Sequence, residues 1–174
     1  MDLKSKIRRV PEFRGVVFWD ITPLLRDKYA FRESIKQMAD YCRDKDIDVV
    51  VSNEARGFIL GSALAYELQV GFVPIRKKGK LPSKCVELTY NKEYESDCIE
   101  IHEDSIKSGQ KVLIIDDLLA TGGTIKANIE LVEKLGGRVV CIGFLIELAY
   151  LHGREIVGDK YDIFSIINYK TPNG

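Results

Sequence analysis

VLIIDDLLATGGT, residues 112–124, opens as a buried strand and closes as the start of a helix. Its first four residues are aliphatic, as in a parallel strand covered on both faces. The strand carries Asp116 and Asp117 to its carboxyl end, where open α/β sheets bind ligands. Ala120-Thr121-Gly122-Gly123-Thr124 then leads into a helix expected from about Thr124 to Leu135 and stopped by Gly136-Gly137. Glycines let backbone approach an anion closely. A helix start adds unpaired N–H groups and a positive dipole end, and Thr121 and Thr124 add hydroxyls. The segment therefore reads as a cradle for one phosphate. It is not a P-loop, because Thr124 and Ile125 stand where a lysine would follow the glycines. A dinucleotide fingerprint is excluded by the missing third glycine. Carboxylates repel phosphate, so Asp116 and Asp117 should face sugar hydroxyls or Mg²⁺, and a phosphorylated ribose satisfies both halves. The bland alternative is a plain strand–turn–helix with acidic residues before the helix.

Outward from this stretch, strands and helices alternate. RVVCIGFLIE (138–147) is a second buried strand and IDVVVS (47–52) a third, with further strands expected at 71–75, 98–102 and 161–168. Helices are expected at 29–45 and at 57–70, where two glycines imply close packing, and a short one within 148–157. Residues 2–9 read as a short amphipathic helix ended by Pro11, and 13–25 as irregular chain with short extended pieces. Residues 76–97 are polar and basic, a long connection of the kind that is either a functional lid or a disordered segment. The pattern is that of an α/β fold with a mostly parallel central sheet flanked by helices, built as one domain over 1–174.

Charge is balanced, with 26 Lys plus Arg against 26 Asp plus Glu. A nucleic-acid binder usually shows a basic excess, so none is expected as a partner. The four cysteines, Cys42, Cys85, Cys98 and Cys141, lack C-x-x-C or metal-ligand spacing and read as free thiols. The first ten residues have no signal-peptide core, and no apolar run approaches the ~18 residues that span a bilayer. The expectation is a cytoplasmic protein that does not engage membranes.

Two more clusters carry chemistry. Glu54-Ala55-Arg56-Gly57 joins a strand end to a helix start, and Arg56 can fork onto a phosphate. Arg76, Lys77, Lys78 and Lys80 crowd a segment whose Gly79 and Pro82 argue against a helix.

Residues 112–124 resemble the phosphoribosyl pyrophosphate-binding motif of type I phosphoribosyltransferases. With VVFWDITPLL (16–25), SNEARGFILG (52–61), IRKKGKLP (75–82), Glu93-Tyr94 and IELAYLHGRE (146–155), the resemblance extends over nearly the whole chain, to the adenine phosphoribosyltransferase family. It implies the type I phosphoribosyltransferase fold with a small hood, mainly from 1–25 with a contribution from the C-terminus. The implied reaction is transfer of the phosphoribosyl group to adenine, giving AMP and pyrophosphate in a purine salvage route.

By the same resemblance, Arg56, Lys77, Lys80, Asp116, Asp117 and Ala120 to Thr124 bind the donor, and Arg76 reaches it from the partner subunit of a homodimer. The loop after residue 52 would hold pyrophosphate, with a cis peptide at Glu54–Ala55. Glu93 would handle the proton and Tyr94 cover the reacting centre, within a lid over 83–97. Val17, Phe18, Trp19 and Leu118 would bind the base. Mg²⁺ would be held mainly by the donor, next to Asp116 and Asp117, with no side chain assigned as its direct ligand. Two places depart from the family, both beside the base pocket. The segment before Gly15 is two residues short, and Trp19 stands where a basic residue is general. A 6-oxopurine transferase for hypoxanthine, guanine or xanthine is thus the alternative. A regulator that senses the donor and binds nucleic acid is a more distant one.

Overall fold

The aliphatic runs form the middle of a sheet whose two faces are both covered. The structure, a computed structural model, describes residues 1–13, 15–91 and 96–174. Its elements are β1 (Arg8–Phe13), β2 (Val16–Asp20), α1 (Thr22–Arg26), α2 (Lys28–Cys42), β3 (Val49–Asn53), α3 (Arg56–Leu68) and β4 (Gly71–Lys77). There follow β5 (Cys85–Asn91), β6 (Ser96–His102), β7 (Lys111–Leu119), α4 (Gly123–Lys134), β8 (Arg138–Leu148), α5 (Gly153–Val157) and β9 (Ile163–Tyr169). Seven strands lie in the order β5-β6-β4-β3-β7-β8-β9. From β4 to β9 all pairings are parallel, and the β5–β6 hairpin adds an antiparallel edge.

Alternation within the apolar runs explains both layers. Val50, Leu113, Ile115, Cys141 and Leu145 face α2 and α3, where they meet Met38, Leu60 and Leu64. Val49, Val51, Val112, Ile114, Ile142 and Phe144 face α4, where they meet Ile125, Ile129 and Val132. Asp27 starts α2 by accepting hydrogen bonds from the N–H groups of Tyr29 and Ala30, a cap that contributes about 1 kcal/mol. Gly57 and Gly61 let α3 lie directly on the sheet: an added Cβ would sit 2.8 Å from Asp116 Oδ1 and 2.0 Å from Ser52 Oγ respectively.

Two expectations are corrected. Residues 2–9 do not form an amphipathic helix: a single 3₁₀ turn at Lys4–Lys6 leads into β1, which pairs antiparallel with β2. Pro11 sits where that register shifts, between Val10 and Phe13, and a bulge in a two-stranded ribbon tolerates its missing N–H. The described residues of the connection 76–97 are also more ordered than their polarity suggested. β4 runs on to Lys77, and 85–91 pairs with β6 residue by residue. Val86, Leu88 and Tyr90 alternate along β5 and pack against the α4-side core, a period of two masked by the charges around it.

Cys42 and Cys141 are buried and Cys85 and Cys98 half-buried, all as free thiols. Among the described residues, no helix is long and apolar enough to cross a membrane.

Candidate active site

The carboxyl ends of β3, β4 and β7 and the start of α4 surround a cleft of about 380 Å³. The loop after β3 supplies Arg56, and its Glu54–Ala55 peptide is cis. Arg56 Nη2 lies 2.9 Å from Asp117 Oδ2, and its guanidinium carbon lies 4.8 Å from the centre of the Phe18 ring. One cation thus joins the acidic pair of β7 to the aromatic surface of β2.

Asp116 and Asp117 stand side by side at the cleft. Burial, and then the neighbouring Asp117 carboxylate, push the Asp116 carboxyl well above the usual range. Burial also raises Asp117, with Arg56 pulling the other way. The Asp117 N–H donates to Asp116 Oδ1 at 2.8 Å, so the pair is held by its own backbone.

Opposite the acids, Arg76 and Lys77 line the cleft from the end of β4. Glu54 organises them: Arg76 Nε donates to its Oε2 at 2.7 Å, and the Lys77 N–H to its Oε1 at 3.2 Å. Lys77 Nζ is 3.6 Å from Asp97 of β6. Lys80 is exposed in the turn beyond and does not line the cleft. That turn is pinned by buried Glu100, which accepts from the N–H groups of Lys80 and Leu81 at 2.8 and 2.7 Å. Burial works against ionisation of Glu100, yet the N–H groups of Gly79, Leu81 and Lys80 bring it below the usual carboxylate range.

The glycine turn has the geometry of a cradle. Gly122 has φ +87° and caps α4, whose first residue is Gly123. Thr124 lines the cleft, and its hydroxyl shares a hydrogen bond of 3.2 Å with that of Tyr90. Behind the turn lies α5. A Cβ on Gly122 would be 2.5 Å from the Gly153 carbonyl, and one on Gly153 would be 2.3 Å from the Ala120 carbonyl.

The phosphoribosyl transferase domain family matches residues 24–173. A chain from Thermotoga neapolitana called adenine phosphoribosyltransferase is 56% identical over 171 residues, 97% of this chain and 100% of that one. The chain belongs to the adenine phosphoribosyltransferase family. Two solved structures of the family agree over nearly their whole length. The enzyme of Thermoanaerobacter pseudethanolicus superposes with a TM-score of 0.93 at 49% identity, covering 97% of this chain and 98% of that one. The Saccharomyces cerevisiae enzyme, complexed with an imino-altritol bisphosphate and adenine, gives 0.88 at 38% identity, covering 95% and 96%.

Set in this family, the site departs from the sequence reading at Trp19. Expected to bind the base, it instead stacks its ring on Tyr169 of β9, centroids 3.7 Å apart, and only 4% of the residue is exposed. The strand's alternation is the reason. Phe18 turns toward Arg56, while Val17 and Trp19 turn into the core. Leu118 is half-buried and packs on the same core. Glu93 and Tyr94 lie outside the described residues.

Asn53, Tyr90, Asp97 and Gly153 are members of the site, or supports of it, to which the sequence reading gave no role, and Glu54 was read only as part of its loop. Tyr90 was detectable through the alternation of β5. Glu54 and Asp97 carried no signal of their own, since each acts through a cation brought near only by the sheet.

Proposed function

We propose that this chain transfers the 5-phosphoribosyl group of phosphoribosyl pyrophosphate to adenine, giving AMP and pyrophosphate, as a pentosyltransferase of purine salvage. The observation that carries this reading is the convergence, in one cleft, of an acidic pair, a cationic strand end and a glycine-capped helix start. The glycine turn with Thr121 and Thr124 receives the 5′-phosphate. Asp116 and Asp117 face the ribose hydroxyls. Arg56, Arg76 and Lys77, which line the cleft, neutralise the pyrophosphate, and the resemblance adds Lys80 from the exposed turn beyond β4. Nη1 of Arg56 is buried without a hydrogen-bond partner among the described residues, a donor that suits an oxygen-rich ligand.

The C1–oxygen bond of the donor breaks with its electron pair leaving on pyrophosphate. A purine ring nitrogen forms the new bond from the opposite face, and the proton on that nitrogen departs. Fixed charges and positioning account for most of the acceleration. Glu93 is assigned the proton and Tyr94 the covering of the site. Phe18, on the strand face that meets Arg56, offers the base an aromatic surface, with Val17 and Leu118 packed in the core behind it.

Mg²⁺ is the cofactor of this reading. The carboxylates of Asp116 and Asp117 are hard oxygen donors of the kind it accepts, and they lie beside the place assigned to the ribose. Bound with the donor, the ion would offset the pyrophosphate charge.

The chain acts as one domain over 1–174, in the cytoplasm, with the β1–β2 ribbon as the hood. The C-terminus supports that hood: Arg9 Nε donates to the Pro172 carbonyl at 2.9 Å.

Incubation with the donor, Mg²⁺ and each purine in turn tests the reading. AMP from adenine and no nucleotide from hypoxanthine, guanine or xanthine is the expected result. Product from a 6-oxopurine alone would replace adenine with that base. The protein is also proposed to be a homodimer, on the strength of the resemblance that brings Arg76 to a neighbouring site. Sedimentation at working concentration should show a dimer, and a fully active monomer contradicts it.

A further inference from the structure

The stretch IELAYLHGRE carries a family resemblance, yet none of the roles assigned so far uses its charged residues. Glu147 ends β8 with its carboxylate buried, 4% exposed. Arg154, in the first turn of α5, forks onto it: Nε donates to Oε1 and Nη2 to Oε2, both at 2.7 Å. Nη1 donates to the Ile163 carbonyl of β9 at 2.9 Å, and Ser165 Oγ to Glu147 Oε2 at 2.6 Å. The fork holds the Glu147 carboxyl below the usual carboxylate range. Neither residue lines the cleft.

α5 has five residues, far fewer than a helix needs to persist alone. Its place is therefore set by what ties it down, and the Arg154 fork ties it to both β8 and β9. The residue before Arg154 is Gly153, whose backbone forms the rear wall of the glycine turn through the close approaches to Gly122 and Ala120. Ile156, one turn further, also lies against Gly122. A shift of α5 would move that wall, and the turn has no slack to absorb it.

We infer that Glu147 and Arg154 are positioning residues for the donor: by fixing α5 against Gly122 and Ala120, they set the affinity of the 5′-phosphate subsite without touching the ligand. This rests on the phosphoribosyl reading above. It predicts a selective defect, because the residues assigned to the two ends of the donor come from different elements: the glycine turn for the 5′-phosphate, and Arg76 and Lys77 of β4 with Arg56 at the start of α3 for pyrophosphate. Two probes separate the ends: ribose 5-phosphate for the glycine turn and inorganic pyrophosphate for the cations.

Titration calorimetry of the full chain with each probe is the test. Arg154→Met should weaken ribose 5-phosphate about tenfold while pyrophosphate stays within about twofold, since small misplacements of positioning groups have effects of this order or larger. In the assay, the donor KM should rise about tenfold and kcat stay within about threefold. Arg154→Lys, with a point charge in place of a fork, should lie between parent and Arg154→Met. Glu147→Gln keeps the side-chain volume, should show the same selectivity, and serves if Arg154→Met does not fold. Equal weakening of both probes would make the ion pair a matter of general stability and overturn the inference. Unchanged affinity for both would overturn it too. A parent protein that binds neither probe would instead defeat the phosphoribosyl reading, and the inference with it.

Discussion

Asp116→Asn is expected to lower turnover by about a hundredfold or more, the scale of losing a group that stabilises developing charge, while the protein stays folded and resists heat better. Both effects come from one fact. The carboxyl is half-buried at the cleft beside a second carboxylate, and desolvation and that charge raise its pKa well above the usual range. Burying a charge without full compensation opposes folding, and the neutral amide removes that charge with little change of shape. The sign follows from proton linkage. The folded chain holds this proton more tightly than the unfolded chain, so the residue's contribution to stability falls as pH rises from the ordinary carboxylate pKa, about 3.9, through the raised one. Asp116→Asn should lose that component of the pH dependence and gain stability most on the alkaline side. Asp117→Asn should lose similar turnover without the gain, because it leaves Arg56 beside Phe18 without its carboxylate partner. Melting curves across pH, with steady-state kinetics, read both effects. Kinetics within about threefold of the parent for both variants would sink the ribose assignment.

Gly122→Ala should raise the donor KM about a hundredfold, as expected when a positioning element moves by about an ångström. Alanine at φ +87° sits in the left-handed region, at a cost of roughly 1–2 kcal/mol. That strain alone is survivable. The more severe problem is the Gly153 carbonyl, 2.5 Å from the new Cβ, which belongs to backbone and cannot rotate away. The glycine turn or α5 must therefore shift. Gly109→Ala is the matched control: its φ is +82°, but nothing lies within 4 Å of the added Cβ. It should lose only the stability that the left-handed strain costs and keep the parent's donor KM. Equal KM values for the two variants would remove the glycine turn from the donor site.

The parallel sheet was legible because its strands are covered on both faces, and continuous runs such as Val112–Ile115 admit few other structures. The glycine turn was legible because backbone geometry there demands particular residues. The N-terminal ribbon was not. KSKIRRV places apolar residues among charges in a way that suits one helix turn or a strand, and the choice fell to pairing with β2. Trp19 shows the same limit at the level of one side chain. Adjacent residues of a strand face opposite ways, and no local feature of VVFWD says which face meets the cleft. Tyr169, some 150 residues away in the chain, decides it by stacking on the indole.

The amino-acid sequence by itself determined the α/β class, the positions of its main strands along the chain, the glycine turn at 120–124 and the acidic pair before it. Each of these is set by short-range rules of burial period, backbone freedom and charge. Tertiary structure alone decided that Glu54 would organise Arg76 and Lys77, that Tyr90 would reach Thr124, and that Glu147 would hold Arg154 behind the glycine turn. The Glu54 and Tyr90 pairings join residues more than twenty positions apart, brought together by strand order in the sheet. Glu147 and Arg154 are close in sequence, but their meeting has meaning only because α5 packs on a turn built thirty residues earlier.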